Sequence, residues 1–152
     1  MPKLLVTGGA GFIGSNLVTE LLEDEENEVI VFDNLITSNL NNLDLKNPRL
    51  KFYQIDLREP FENWPKIEGI NTIFHFAANA DVRGGEKDRN IDFQQNVLAT
   101  KSICDYASKY AEHLAFASSA TVYGEPSVFP TSENNLSKQT SVYGASKLFG
   151  EA

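Results

Sequence analysis

Cysteine is almost absent from the sequence, since Cys104 is the only one among 152 residues. A lone cysteine excludes an intramolecular disulfide and a cysteine cluster for metal, and it fits a reducing compartment. Histidine is nearly as rare, because only His75 and His113 occur. His75 lies in an apolar run, where a hydrogen-bonded core histidine is a better interpretation than a base or a metal ligand. No metal site is therefore predicted.

Basic residues and long apolar runs are also in short supply. Lys and Arg number 13 against 21 Asp and Glu, which gives a formal net charge of −8. Such an acidic chain repels phosphate backbones and anionic lipid, so no nucleic-acid partner and no membrane face are expected. The apolar stretch "LLVTGGAGFIG" is broken by glycines and predicts neither a signal peptide nor a membrane span. We expect a cytoplasmic protein, in which a helix N-terminus can still bind one anionic ligand.

What the sequence does contain is an alternation of short apolar runs with longer segments of helical period. This alternation predicts β-α units and a parallel sheet, and hence an α/β fold. The length of 152 residues favours one domain. Strands are predicted at 3–7, 29–32, 50–55, 72–76 and 114–118.

Two long helices are predicted between these strands. In the first, Ile13, Leu17 and Leu21 recur every four residues and should form one buried face. The second runs from about 91 to 110. The residues expected to share its face are Phe93, Val97, Cys104 and Ala111.

The remaining segments are predicted as two loops and a last helix. The segment 34–48 has no clean period and should be a loop with a short helix. The segment 123–140 is long, polar and rich in turn residues, which is typical of a functional loop. A final helix should begin near Ser141.

The stretch "TGGAGFIG" places Gly8, Gly11 and Gly14 three residues apart, after a predicted strand and at the opening of a helix. This context favours a dinucleotide-binding loop over an ordinary turn, because it supplies a tight turn, a bare backbone and free N–H groups for a pyrophosphate. Asp33 follows Gly14 by 19 residues, close to the spacing of about 20 for an acid that binds the adenosine ribose. The alternative is a solvated acid at a strand end. A carboxylate there would repel a 2′-phosphate, so NAD is predicted rather than NADP.

Seven short motifs follow one another along the chain: "TGGAGFIG", "VFDNL", "QIDLRE", "HFAANADV", "NVLAT", "SSATVYGE" and "YGASK". In this order they resemble the extended short-chain dehydrogenase/reductase family, specifically its nucleotide-sugar epimerase and dehydratase branch. The resemblance implies a Rossmann-type doubly wound parallel sheet in the order 3-2-1-4-5, with helices on both faces. It also implies that 1–152 is an NAD-binding domain without the family's later strands and substrate domain, since family members are roughly twice this length.

The resemblance further implies roles along the cofactor cleft. In chain order these are Phe12 and Ile13 at the pyrophosphate, Asp33 and Asn34 at the adenosine ribose, Asp56 and Leu57 at the adenine, Phe76, Ala77 and Ala78 along the cleft, and Asn96 in support from the long helix. Asp56 would accept a hydrogen bond from the adenine amino group. Taken alone, Asp56 could instead cap a helix, and Asn96 could be an exposed helical amide.

Tyr143 and Lys147 form a Tyr-x-x-x-Lys pair on one face of the last predicted helix. Alone, such a pair is more often a surface couple, whereas the family chemistry needs a base that takes a proton from a sugar hydroxyl as hydride leaves. A free tyrosine has a pKa near 10, so a tyrosine base at neutral pH needs a shift of roughly three units, or about 4 kcal/mol, which a nearby ammonium favours. By resemblance, Ser119 at the end of the fifth strand binds the same hydroxyl. Ser118 should face the opposite way.

The residues after Ser119 narrow the reaction that the resemblance implies. Family dehydratases carry an Asp-Glu pair where this chain has Ala120 and Thr121. The pattern is instead similar to the 4-epimerases, which pass through a 4-keto sugar and regenerate NAD. Some 4-epimerases carry a lysine where this chain has Ala80, and the following "DVRGGEKD" resembles a prokaryotic, largely archaeal, branch.

Three functions stay open at this point. The first is a UDP-sugar 4-epimerase acting on glucose and galactose. The second is an NAD-binding chain without catalytic activity, because the part that normally holds the sugar nucleotide is missing. The third is a 4-keto-sugar reductase of the same fold. The fifth strand would be an uncovered edge, so a homo-oligomer that shields it is possible.

Overall fold

The structure is a computed structural model that describes residues 1–81, 88–126, 128–134 and 139–152. Five strands form one sheet in which every neighbouring pair is parallel. The strand order is β3-β2-β1-β4-β5, which confirms the predicted doubly wound α/β fold. The strands are β1 Lys3–Thr7, β2 Glu28–Asp33, β3 Leu50–Gln54, β4 Ile70–His75 and β5 Ala111–Phe116.

Parallel pairing requires crossover connections, and α- and π-helices lie between β1 and β2, between β4 and β5, and after β5. They are α1 Phe12–Glu23, α2 Arg89–Asp92, a π-helical segment Phe93–Leu98, α3 Ala99–Tyr110 and α4 Val142–Glu151. Short 3-10 helices lie at Leu40–Asn42, Phe61–Asn63 and Ala120–Tyr123. Within the described part of the chain, every helix is too short or too polar to cross a bilayer.

The two faces of the sheet are buried by different sets of side chains, because neighbouring residues of a strand point to opposite faces. One face packs Leu5, Ile30 and Ile73 against α3 and a cluster of aromatic rings. The other face packs Val6 and Val31, among others, against α1. Strands β1 and β2 are therefore almost continuously apolar, which is typical of a parallel sheet covered on both sides.

Strand β5 differs from its prediction: it begins at Ala111, three residues earlier than expected, and ends at Phe116, two residues earlier than expected. Pairing with β4 fixes these bounds, since Ile70 lies opposite Ala111 and His75 opposite Phe116. The prediction followed the most apolar run, but the residues from Glu112 to Ala115 are exposed. Ser118 and Ser119 therefore follow the strand instead of belonging to it.

The predicted faces of both long helices were partly wrong. In α1, Leu17 and Leu21 pack on the core, whereas Ile13 is exposed in the first turn. In the second, Phe93 and Cys104 are exposed. The π-helical segment Phe93–Leu98 shifts the spacing of buried positions between α2 and α3. A prediction that assumes one α-helical period throughout therefore assigns the wrong residues to the buried face. The buried residues from Asp92 to Tyr110 are instead Asp92, Asn96, Ala99, Thr100, Ile103, Tyr106, Ala107 and Tyr110.

Candidate active site

The glycine loop joins β1 to α1 and brings the backbone of three segments into close contact. Gly8 has a φ of +68°, and a Cβ there would lie 2.8 Å from the Ala77 nitrogen. A Cβ on Gly14 would lie 2.3 Å from the Gly8 carbonyl oxygen. Side chains at these two positions would clash with neighbouring backbone, so the loop needs glycine for its close packing. The bare backbone and the first turn of α1 suit a pyrophosphate group.

Asp33 ends β2 beside this loop, and its carboxylate is held by three donors of the chain. Oδ2 accepts from the Ala10 N–H at 2.9 Å. Oδ1 accepts from the Leu35 N–H at 2.8 Å and from the Ser38 hydroxyl at 2.6 Å. Asp33 is buried. Its orientation is therefore set by the protein before any ligand arrives.

Asp56 lies after β3 and is paired with Arg58. The Arg58 Nε lies 2.9 and 3.0 Å from the two carboxylate oxygens, and Nη2 lies 2.5 Å from Oδ2. Hydrogen bonding to Arg58 lowers the pKa of Asp56. Sequence reasoning missed Arg58, although the acid–x–base spacing in "DLR" was available as a signal. A role for Asp56 at an adenine stays a prediction.

These groups surround a cleft of about 420 Å³ at the carboxyl ends of the strands, where ligands of such sheets bind. The cleft brings together most of the predicted site residues: Gly8, Gly11, Phe12, Ile13, Gly14, Asp33, Asn34, Asp56, Leu57, Phe76, Ala77, Ala78, Tyr143 and Lys147. Lining residues that sequence reasoning did not assign to the site include Ile36, Thr37, Ser38, Arg58, Gln95, Ala117 and Ser118. The loop after β2 has no hydrophobic periodicity, so the sequence did not predict that its residues line the cleft.

Asn96 is buried behind the cleft instead of forming part of its lining. Its side-chain oxygen accepts from the Asn79 N–H at 2.8 Å, and its Nδ2 donates to the Ser146 hydroxyl at 2.9 Å. Ser146 in turn donates to the Tyr143 carbonyl at 2.7 Å. Asn96 therefore connects the segment after β4 with helix α4, and the alternative of an exposed amide is wrong.

Lys147 is 5% exposed and lines the cleft from α4. Its ammonium donates to the Ala117 carbonyl at 3.0 Å and lies 5.0 Å from the centre of the Phe116 ring. Burial lowers the pKa of Lys147. Tyr143 lines the same cleft one turn earlier and is half-buried. Helix α4 begins as predicted, because the Ser141 hydroxyl accepts from the Gly144 N–H.

Ser119 lies near these residues in sequence but is not among the residues lining the cleft. Its hydroxyl oxygen accepts from the Thr121 N–H at 3.2 Å and from the Thr121 hydroxyl at 2.9 Å, which caps the 3-10 helix. Ser118 lines the cleft and donates to Glu151 at 2.5 Å. The predicted role of Ser119 in binding a sugar hydroxyl stays a prediction.

His75 is a buried, hydrogen-bonded core histidine, as predicted. Its ring nitrogens lie 2.7 Å from the Thr7 hydroxyl and 3.1 Å from the Thr100 hydroxyl. Burial, and then the charge of Lys147, lowers the pKa of His75 to about 3. The ring is therefore neutral at physiological pH. Among the described residues, no group of three or more His, Cys, Asp or Glu could hold a metal ion.

The strand order, the glycine loop and the acid at the end of β2 together define a Rossmann-type dinucleotide-binding fold. Residues 4–152 match the model of the NAD dependent epimerase/dehydratase family. The chain belongs to this family, whose cofactor is NAD.

Individual relatives agree with this assignment. A protein of Methanocaldococcus jannaschii named "Putative UDP-glucose 4-epimerase" is 40% identical over 151 residues, which cover 97% of this chain and 48% of that protein. UDP-glucuronic acid decarboxylase 6 of Arabidopsis thaliana is 34% identical over 134 residues, which cover 87% of this chain and 38% of that protein. A crystal structure of a UDP-galactose 4-epimerase has a TM-score of 0.87 and 41% identity, and the match covers 98% of this chain and 49% of that one. The chain thus spans about half the length of these relatives or less.

Proposed function

We propose that this chain forms the NAD-binding part of a nucleotide-sugar 4-epimerase that acts on UDP-glucose and UDP-galactose. The observation that carries the proposal is the cleft itself, which is lined by the glycine loop, Asp33, Tyr143 and Lys147 together. A cofactor cradle and a Tyr-Lys pair on one cleft are what a hydride transfer coupled to proton transfer requires.

The described residues fit NAD. Gly8 and Gly14 allow the close backbone packing that shapes the loop, and both line the cleft where a pyrophosphate would bind. Asp33 presents a fixed carboxylate to a ribose, and a 2′-phosphate would meet its negative charge. When bound, NAD supplies a hydride acceptor and donor for one carbon of the sugar. The chain's own residues bind and orient the two reactants.

Proton transfer is assigned to α4 and to the segment that precedes it. Tyr143 is proposed as the base that takes the proton from the sugar 4-hydroxyl and later returns it. Lys147, one turn away on the same cleft, supplies a positive charge that favours an anionic partner. Ser119 is proposed to donate to the same hydroxyl, since the hydrogen bonds from Thr121 use only its acceptor lone pairs.

Epimerisation is favoured over dehydration by the residues after Ser119. Ala120 and Thr121 carry no carboxyl group, and Thr121 is hydrogen-bonded to Ser119. Elimination of water needs an acid and a base that these two positions do not supply. The Arabidopsis relative is named a UDP-glucuronic acid decarboxylase, so the choice of sugar is part of the proposal.

The second candidate is a chain that binds NAD but has no catalytic activity. It is favoured by the exposure of strand β5 and by the match to about half the length of the relatives. Calorimetry on the 152-residue chain separates the two functions. The binding-only candidate predicts NAD affinity with no UDP-hexose affinity. Conversion of UDP-galactose to UDP-glucose by this chain would exclude it.

A 4-keto-sugar reductase is distinguished by its use of cofactor. Such an enzyme consumes NADH in proportion to product, whereas an epimerase returns the cofactor to its starting state in every turnover. Absorbance of NADH, followed during the conversion of UDP-galactose, should therefore show no net change. A stoichiometric decrease with a 4-keto sugar would replace the epimerase assignment with the reductase.

A further inference from the structure

The Lys147 ammonium is buried with little polar compensation from the chain. Within the described residues its hydrogen-bond acceptor is the Ala117 carbonyl, at 3.0 Å. The ion pairs found in that part of the chain involve Lys51, Arg58 and Lys101 instead. A buried ammonium is costly unless other groups stabilise its charge. The second group in contact with Lys147 is the ring of Phe116, whose centre lies 5.0 Å from Nζ.

The Phe116 ring is held in place from two directions. On β4, the directly paired residue His75 stacks on it, with ring centres 5.8 Å apart and planes inclined by 29°. On α4, Gly150 approaches so closely that a Cβ there would lie 2.4 Å from the ring carbon Cζ. The ring therefore fixes the distance between β5 and α4 at the turn that carries Lys147.

We propose that Phe116 is a positioning residue for Lys147, holding the ammonium at the cleft with its ring face. A ring face attracts a cation within about 6 Å without using any of its N–H donors. An ammonium has three donors, and the Ala117 carbonyl takes one. Phe116 thus stabilises the charge and leaves donors available to a ligand in the cleft. The consequence for catalysis rests on the proposed function, but the contact does not.

The titratable groups around Lys147 do not provide an alternative ion pair in the described structure. His75 is neutral, with its pKa lowered to about 3 by burial and by Lys147. Glu151, one turn later, accepts from Ser118. Asp92 on α2 accepts from Asn79 and Asn96. Tyr143, the remaining titratable group of this turn, is the proposed base.

The test is the titration of Lys147 in protein labelled with ¹³C at the lysine ε carbon. The Lys147 signal is assigned by its loss in Lys147→Arg. In Phe116→Leu the charged form loses the ring, so the pKa of Lys147 should fall by about 0.4 to 1.5 pH units. In Gly150→Ala the new methyl displaces an intact ring, and the pKa of Lys147 should move in the same direction.

Two further variants complete the experiment. Phe116→Tyr keeps the ring face and should restore the value of the unchanged chain. Phe149→Leu makes the same substitution on the neighbouring exposed position of α4 and should leave Lys147 unchanged. If Phe116→Leu does not fold, as judged by circular dichroism, Phe116→Met replaces it with an unbranched side chain of similar volume.

An unchanged or raised pKa of Lys147 in the variants that remove or displace the ring would overturn the proposal. The titration needs no substrate, so it is independent of the proposed function. If the pKa of Lys147 falls in Phe116→Leu but the chain never converts a UDP-hexose, the proposed role of Phe116 stands and the epimerase assignment is wrong. If the chain converts a UDP-hexose but the pKa of Lys147 is the same in Phe116→Leu, the proposed function stands and the proposed role of Phe116 is wrong.

Discussion

The two sides of the cleft are built very differently. On the β1-β2 side, the strands are buried and Asp33 is fixed by three hydrogen-bond donors. On the β5-α4 side, the residues from Glu112 to Ala115 are exposed and Phe149 is half exposed. A parallel strand usually needs cover on both faces. The β1-β2 side is thus buried and hydrogen-bonded, whereas the Tyr143 side depends on specific polar contacts.

Several specific contacts join α4 to the rest of the molecule. Asn96 donates to Ser146, Lys147 donates to Ala117, and Gly150 lies against Phe116. Each is polar or requires close approach, so little apolar burial supports them. We infer from this difference that mutations can weaken cofactor binding and the placement of Tyr143, the proposed base, independently of each other.

The largest effect, a loss of NAD affinity, is expected from a change on the β1-β2 side. Gly14→Ala puts a methyl group 2.3 Å from the Gly8 carbonyl, so the loop or α1 must move. We expect NAD affinity to fall by more than about 100-fold, because the backbone cradle is lost. Isothermal calorimetry gives the affinity. Gly11→Ala, where the nearest atom is 3.2 Å away, is the matched control and should lose much less; equal losses would contradict the packing argument.

Asp33→Ala should weaken NAD binding by about 10- to 100-fold, since a ribose loses a charge-assisted hydrogen bond. The Ala10 N–H and the Ser38 hydroxyl also lose their acceptor. Ser38→Ala removes only one donor to Asp33 and should have a smaller effect. Both variants can be measured by NAD titration. Unchanged affinity in Asp33→Ala would remove Asp33 from the ribose site.

A pH-dependent effect is expected where the two sides meet, at His75 on β4. Its pKa is lowered to about 3 in the folded chain, so between about 6.5 and 3 the unfolded state binds the extra proton. The stability that depends on neutral His75 is present above about 6.5 and is lost as the pH falls toward 3. The loss is roughly 2 kcal/mol at pH 5.

Urea unfolding at pH 7 and pH 5 measures this loss. His75→Gln keeps hydrogen-bonding capacity without titrating, so its free energy of unfolding should change less between the two pH values. An equally large change in both proteins would assign the effect to carboxylates elsewhere in the chain.

The smallest effect is expected on the β5-α4 side, from Ser146→Ala. This change removes the acceptor for Asn96 and should cost about 1 kcal/mol. Because the buried residues of α4 are small or polar, amide hydrogen exchange should accelerate in α4 and leave β1 and β2 unchanged. Uniform acceleration would show that the two sides unfold as one unit. Thr19→Ala, on α1, is a control that removes a hydroxyl bonded within its own helix.

Much of the cofactor side could be predicted from the sequence, because it depends on local signals. The glycine spacing and Asp33 follow from backbone geometry and strand order. The phase change at Phe93–Leu98 could not be predicted, since π-helical turns leave no periodic signal of their own. For the same reason the burial of Asn96 and Asp92 could not be predicted from the sequence. The early end of β5 depends on pairing with β4, which is a tertiary effect.

The Asp56–Arg58 pair has a consequence for how well the chain discriminates between nucleobases. A binding site rejects a purine without an amino group strongly only when that purine leaves a buried acceptor without a partner. Here the two oxygens of Asp56 already accept from Arg58. At the position predicted for the adenine, an incoming amino group would share an occupied carboxylate, and a hypoxanthine base would leave nothing unpaired. Base selectivity at this end of the cleft should therefore be low, and recognition of the dinucleotide should depend on its ribose and pyrophosphate.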